Sequence, residues 1–543
     1  MVDAVAPLKV PRFRALWTSA VFSNVGSFLQ SVAASWLMLE LTGSATWVGL
    51  MAAAATLPLL FLALIAGAVA DIFDRRKVLL AAQTTMGAAS ASMALLTAVG
   101  RITPELLLGL GLLLGVGLAF NLPAWQATVP DLVPRGMVAS AVALNSVAFN
   151  VARAIGPAIG GALIVTTGPA VPFAVNAVSY LGVIVVLAVL ARRMPTPDRV
   201  ETSMISAIGN GIRFARYTPA FRRLLGLAAL FALTSAVVQA VLPNRTEELG
   251  GGAAAFGFLL GAMGVGALAG AFSRGPVTSR LGRRSIPVTV AGFGGAGVLL
   301  GVAPSLWVAV VALLIAGTFW VWTLANLNAT AQLMSPEWVR GRSMGLYTLA
   351  FVGFLPVGSI VAGVVADRIG AGGAEIVLSA GAVLLGAAAP LLRIPALGEV
   401  RAPEFTRPRV VPEHVVTEGG PVLVMNTWRV DRDRLAEFLE RMQDVRLIRL
   451  RTGAYRWRLY RNAADPHELT EVFLVTSWEE HLAQHARIDD DAAAILRDTR
   501  RFDRAGAPST VHLVAIDIEH PEDWDRLAEE HRRFHESDGS IPM

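Results

Sequence analysis

The 543-residue sequence contains no cysteine. Disulfides, thiolate metal sites and cysteine nucleophiles are thereby excluded. Lysine is almost missing: only Lys9 and Lys77 occur, against 46 basic residues in all. That arginine bias matches a GC-rich bacterial genome. No histidine precedes His414, so imidazole chemistry is excluded from the first three quarters of the chain. Charged residues make up only 16%, against about 25% in an average soluble protein. The shortage is uneven. Residues 1–400 hold 25 Lys+Arg and 14 Asp+Glu, a net +11, whereas residues 401–543 hold 21 and 27, a net −6. A soluble enzyme over the whole length is excluded, and so is a nucleic-acid binder relying on general basicity. The phosphate-loop pattern Gly-x-x-x-x-Gly-Lys-Ser/Thr is missing, so no fused ATPase is expected.

Apolar length is what the chain has instead. It is 54% hydrophobic, with a mean hydropathy of +0.56. A helix of about 20 apolar residues spans the hydrocarbon core. Twelve such stretches are expected, near 16–40, 46–70, 78–99, 105–127, 138–165, 171–191, 224–243, 253–273, 286–303, 305–331, 343–366 and 373–392. Glycines such as Gly257, Gly261, Gly264, Gly266 and Gly270 suit close helix approach in lipid. Residues 1–15 carry Lys9, Arg12 and Arg14 but no short apolar region with a cleavage site. The first apolar run is expected to be retained as a membrane helix.

Loop charges give the orientation. With the N-terminus inside, the inner segments hold 20 Lys/Arg and the outer loops only Arg101, Arg245 and Arg368. Twelve spans then place both termini in the cytoplasm. The longest inner loop carries Ile205, Ile208, Ile212 and Phe214 among Arg213, Arg216, Arg222 and Arg223, which predicts an amphipathic surface helix. Gly67-Ala-Val-Ala-Asp71-Ile-Phe-Asp-Arg75-Arg76 and Gly275-Pro-Val-Thr-Ser-Arg280-Leu-Gly282-Arg283-Arg284 have the same Gly-to-Arg-pair spacing, 208 residues apart. Two related six-helix halves follow.

Beyond residue 393 the character changes. A Pro-, Glu- and Arg-rich linker precedes strand patterns at Val422–Val430, Tyr455–Tyr460, Leu469–Thr476 and Val511–Ile516. Helical patterns fill Asp433–Leu450, Trp478–Phe502 and about Glu522–Phe534. The order βαββαβ describes a ferredoxin-like unit. The expected division is thus 1–191 and 224–393 for the membrane halves, 192–223 between them, 394–420 as linker and 421–543 as an α+β cytosolic domain.

The residues from Gly67 to Arg76 resemble the loop motif between helices two and three of the major facilitator superfamily. Ile72 and Asp74 depart from it, and Ser279 replaces the acid of the second copy. Ala152-Arg153-Ala-Ile-Gly156-Pro157 resembles the helix-five motif of its drug antiporters. Together with Leu144-Asn145-Ser146 and Asn150, that run is similar to the branch containing enterobactin-type siderophore exporters. The C-terminal unit resembles the dimeric ferredoxin-like fold of small antibiotic-biosynthesis monooxygenases. These likenesses imply alternating access and export of a small amphipathic molecule, such as a siderophore, an antibiotic or another metabolite, by proton antiport.

Candidate residues fall into two sets. Gly67, Asp71, Arg75, Arg76, Gly275, Arg280, Gly282, Arg283 and Arg284 form a cytoplasmic gate or simply a positively charged inner turn. Arg153 is the deepest charge, and a charge at the bilayer centre costs about 2.5–3.5 kcal/mol on insertion scales. It shares a helix face with Ser146 and Asn150, and it either meets a polar substrate or is satisfied structurally. Polar stripes occur at Asn24, Ser27 and Ser31, at Asn121 and Trp125, at Ser235 and Gln239, and at Trp320, Thr323 and Asn326. The family resemblance implies that these helices line the path; interhelical hydrogen bonding is the alternative.

In the C-terminal unit, His481 and His485 stand at i, i+4, where a metal or a solvated face would each fit. Asn426, Trp428, Trp457, Trp478 and His485 line a pocket or fill a core. No cofactor or nucleic-acid partner is expected. The expected partners are the lipid bilayer, a small-molecule substrate and a second copy of the chain joined through the C-terminal domain. The rival functions are an active monooxygenase-like domain fused to the transporter, and a membrane sensor.

Overall fold

The computed structural model describes residues 5–190, 204–395 and 420–515. Ten stretches among these are long and apolar enough to cross a membrane. The helices are α1 (Pro11–Thr42), α2 (Ala45–Ala54), α3 (Leu57–Ile72), α4 (Arg75–Ala98), α5 (Pro104–Asp131), α6 (Val138–Thr167), α7 (Ala170–Leu190) and the short α8 (Met204–Tyr217). They continue with α9 (Pro219–Ser235), α10 (Val237–Ala240), α11 (Leu242–Glu248), α12 (Ala253–Leu281), α13 (Ser285–Gly301), α14 (Leu306–Met334), α15 (Arg340–Val352), α16 (Phe354–Ile369) and α17 (Ala371–Ala388). Three expected spans are broken by local chemistry. Pro58 restarts the chain at α3, Pro243 at α11 and Pro356 at α16, each in the first turn, where the missing N–H costs nothing.

The ten stretches differ from the expected twelve in two places. The first span, α1, carries too many polar residues to count among them. The eighth and ninth merge in one stretch, Ala253–Gly301, because only a 3-10 turn, Gly282–Arg284, separates α12 from α13. Gly282 has φ +51°, a conformation that favours glycine. In the first copy of the loop, Asp74 caps α4 by accepting from the Arg76 N–H at 3.0 Å.

The soluble part has strands β1 (Val422–Arg429), β2 (Arg456–Arg461), β3 (Glu468–Val475) and β4 (Ser509–Val514), with α18 (Leu435–Thr452) after β1 and α19 (Trp478–Ala486) and α20 (Asp490–Arg500) after β3. The sheet is antiparallel in the order β2-β3-β1-β4. The single helix expected over Trp478–Phe502 is two, because Asp489 caps a new start through the Ala492 N–H. Period-two alternation buries Val422, Val424 and Trp428 on one sheet face beneath the helices. The linker lies almost wholly outside the described residues, and the helix expected near Glu522–Phe534 lies entirely outside them.

The chain forms two compact units. One takes in Met1–Thr202, Arg223–Thr330 and Tyr347–Gly398; the other takes in Ser203–Arg222, Ala331–Leu346 and Glu399–Met543. The second unit is therefore more than the C-terminal domain. It includes α8 and the segment leading into α15.

Candidate functional site: a polar cavity in the helical unit

Helices α1, α4, α5, α6 and α7 enclose a cavity of about 600 Å³. Asn24, Ser27, Asn121, Trp125, Ser146 and Asn150 all line it, as do Gln83, Asn145, Gln126 and Tyr180. A second cavity of about 280 Å³ shares Ser27 and Tyr180 with the first and adds Ser31, Gln30, Asn176, Gln239 and Phe256. Gln239 and Phe256 belong to the second half of the bundle, so this cavity lies between the halves. Among the described residues, neither wall carries a charged side chain. Amides, hydroxyls and aromatic rings are set among aliphatic side chains and methionine.

A hydrogen-bonded network fixes these polar groups. Gln83 Nε2 donates to Asn121 Oδ1 at 2.9 Å. Buried Gln30 accepts from Asn176 Nδ2 at 2.6 Å and from the Ser90 hydroxyl. Ser27 Oγ lies 3.3 Å from the Tyr180 hydroxyl. Asn150 Nδ2 donates to the Ser146 carbonyl at 2.8 Å. Buried polar groups in apolar surroundings need such partners. Gln30, Gln83 and Asn176 escaped the sequence analysis, although an amide inside an apolar span was the available signal.

The second half treats its polar residues differently. Ser235, Thr323 and Asn326 are buried, at 2%, 0% and 0% exposure, and none lines either cavity. Ser235 Oγ donates to the Ala232 carbonyl, and Asn326 Oδ1 accepts from Thr278 Oγ1 at 3.3 Å. Trp320 packs among Phe231, Phe293 and Phe351. The Arg153 guanidinium lies over the Trp320 ring, 5.9 Å from its centroid. This contact joins α6 of one half to α14 of the other.

At one end of the bundle the halves are closed against each other. A Cβ on Gly161 would come 2.5 Å from the Ala253 carbonyl oxygen, and one on Gly363 would come 2.8 Å from Thr46 Cα. The gate residues are at the other end. Gly67 lies in α3 and Gly275 in α12, with no atom within 4 Å of an added Cβ at either. Arg280, Arg283 and Arg284 are exposed. Asp71 lies in α3, and its side chain is outside the described residues.

In the second unit, Asn426, Trp428 and Trp478 are core residues rather than pocket walls, at 5%, 4% and 5% exposure. Asn426 Nδ2 donates to the fully buried Glu471, which also receives Arg449 Nε at 3.2 Å and Trp457 Nε1 at 3.0 Å. His481 Nε2 lies 3.3 Å from His485 Nε2, and the His512 ring is 4.9 Å from that of His481. Burial, then the neighbouring His485, pushes His481 down to about 3. Burial, then Arg449, pushes His485 down to about 4. Among the described residues no group of three or more His, Asp or Glu is arranged to hold a metal. A cavity of about 710 Å³ lies on the other sheet face, lined by Tyr217, Arg456, Arg458 and Tyr460 among others.

Comparison with known proteins adds the following. A family profile described as "Transmembrane secretion effector" matches residues 2–522. The multidrug efflux pump Tap of Mycolicibacterium fortuitum is 28% identical over 389 residues, covering 69% of this chain and 94% of that protein. The enterobactin exporter EntS of Shigella boydii serotype 18 is 29% identical over 355 residues, covering 62% and 81%. Among solved structures, a bacterial homologue of the human lysosomal transporter Spinster, inward-facing and unoccupied, superposes with a TM-score of 0.59 at 16% identity, covering 74% of this chain and all of the other. A D-xylose–proton symporter gives 0.57 at 12% identity, covering 72% and 99%.

Proposed function

We propose a transport cycle from one premise: this chain belongs to the transmembrane secretion effector family of the major facilitator superfamily. It is a multi-pass membrane transporter of that type, not an enzyme. The finer reading is export of a small amphipathic organic molecule from the cytoplasm across the bacterial inner membrane by alternating access. The observation that carries it is a pair of adjoining cavities whose described walls are uncharged and set amides and aromatic rings among aliphatic side chains, the second reaching Gln239 and Phe256 of the other half. Such a wall offers hydrogen bonds and ring contacts without imposing one charge. The tight seam at one end and the cavity toward the Arg-rich loops suit a state open to the cytoplasm.

Counting α1, and counting α12 and α13 separately, gives twelve spans. The excess of Lys/Arg at the Arg75 end supports both termini inside. The proposed domain division stays at 191, 223, 393 and 420, although α9 already begins at Pro219. The order β2-β3-β1-β4 supports a ferredoxin-like C-terminal domain. Its exposed Val511 and Leu513 support pairing with a second copy of the chain. The relatives named as multidrug and enterobactin exporters support efflux of an antibiotic or a siderophore. Proton antiport would power it.

Uptake into inside-out vesicles of a panel of lipophilic cations, antibiotics and catecholates, with and without a proton gradient, tests the reading. Gradient-dependent uptake of a panel member is expected. If the panel is exhausted without uptake while the protein is folded, the export reading is withdrawn in favour of the sensor. The rival in which the C-terminal domain oxidises the cargo is disfavoured by the packed core around Trp478 and His481.

A further inference from the structure

One carboxylate from the second half holds the start of a helix in the first. Asp367, near the end of α16, accepts from the backbone N–H of Ala45 at 2.7 Å and of Thr46 at 3.0 Å, and from Ser44 Oγ at 2.8 Å. The two N–H groups belong to the first turn of α2, where no carbonyl of the same helix reaches them. The side chain within reach from the same helix is Ser44, whose hydroxyl takes only the Trp47 N–H at 3.5 Å. An anion at the positive end of a helix is favoured, and charge-assisted hydrogen bonds are the stronger kind. Around this contact the backbones touch: an added Cβ on Gly49 would come 3.2 Å from the Ser359 carbonyl carbon.

The sequence contains a second trace of the same device. Gly363-Val-Val-Ala-Asp367 repeats Gly67-Ala-Val-Ala-Asp71 at four of five positions. One pentapeptide ends α16. The other ends α3, which completes the span that α2 begins, so the two stand at opposite ends of the bundle. Asp71 belongs to the proposed cytoplasmic gate. Asp367 is at the end where the halves are closed.

We infer that Asp367 is the latch of the outer gate. It holds α2 of one half to α16 of the other while the cavity is open to the cytoplasm. All three bonds must break each time the halves part at that end. The inference rests on the alternating-access reading above. A static cap, by contrast, would stabilise the fold and keep its bonds in every state.

The absence of cysteine makes the test clean. Val165→Cys and Val302→Cys, both at exposed positions near the closed end, take spin labels one in each half. Their separation is measured in the reconstituted full-length protein. The parent should give mainly a short distance. Asp367→Asn and Asp367→Ala should move the population toward a longer one, by roughly 5- to 30-fold, and Asp367→Glu should recover part of the short one.

Ala45→Pro provides an independent variant that spares the carboxylate. It removes one donor at a position where proline fits, since Ser44 before it is extended. It should shift the population the same way. Unchanged distances in Asp367→Asn and Ala45→Pro, whatever happens to melting temperature, would leave only a static cap and overturn the latch. The distances need no substrate, so a failed vesicle assay and a failed latch are separate results.

Discussion

At the scale of single residues, Arg153 has the most to explain. It is half-buried in α6, and its recorded neighbour is a ring rather than a carboxylate. Cation–π contacts contribute about 0.5–2 kcal/mol, and the planar guanidinium makes them better than an ammonium does. Arg153→Ala should therefore lower vesicle uptake about tenfold, and Arg153→Lys should recover only part of it. Equal initial rates for all three proteins would make the residue dispensable. Gln83 offers a second test. Gln83→Leu leaves Asn121 Oδ1 without its donor. It should raise the substrate concentration for half-maximal uptake several-fold while leaving expression and melting intact, because Asn121, the partner left behind, is only half-buried and faces the cavity. Gln30→Leu should instead destabilise the protein by about 1–3 kcal/mol, seen as a lower melting temperature, since Ser90 and Asn176 are buried with it. These contrasts show what was legible in the sequence. An amide or a charge in an apolar run is visible as an anomaly, and Asn24, Asn121, Asn150 and Arg153 were found that way. Whether it faces a cavity depends on what stands opposite. Asn326 and Thr323 carry the same signal as Asn121 but are packed inside their own half.

At the scale of elements, the spans were readable because lipid demands about 20 apolar residues at a time, whereas their breaks at Pro58 and Pro356 are local events inside runs that stay apolar throughout. The soluble strands were readable from alternation to within a residue or two. The placement of α8 was not. Its amphipathic face was evident, but its partner was not. Arg213 donates to the Gly453 carbonyl, Phe214 meets Trp338 edge-on at 6.2 Å, and Arg487 lies 4.7 Å from the Trp338 centroid. Trp338→Ala should loosen this cluster and speed proteolytic cutting between residues 331 and 346 several-fold, read as the rate at which the full-length band is lost. The histidines give the element-scale pH dependence. His481 and His485 are held neutral in the fold, far below their ordinary value. The unfolded chain thus binds more protons between about pH 6.5 and pH 4, and stability falls as pH drops through that window. The unfolding midpoint of the soluble part should decline from pH 7 to pH 4.5. The His481→Gln, His485→Gln double variant should flatten the decline. An equally steep profile in the double variant would assign the pH dependence to carboxylates.

At the scale of the whole molecule, the α6–α12 stretch of the contact between halves is made largely of backbone. Gly257 packs against the Pro157 carbonyl oxygen and the Gly161 backbone, and Gly264 against Ala154. Without a hydrophobic drive between helices in lipid, such close approach supplies the association. A side chain at Gly257 would meet backbone, which cannot rotate away. Gly257→Val should therefore disfavour the closed end without touching the cavity, its lining amides or Arg153. The expected result is a longer Val165–Val302 label distance, together with a lower maximal uptake rate and an almost unchanged concentration for half-maximal uptake. The combination matters more than either number. Loss of substrate affinity alone would mean that the valine had deformed the cavity at Phe256, its neighbour in sequence. A short distance with full transport would mean that α6 and α12 repack around the valine at no cost. A longer distance with slowed turnover would place this glycine seam, alongside the Asp367 contact, among the features that set how often the two halves exchange their open ends.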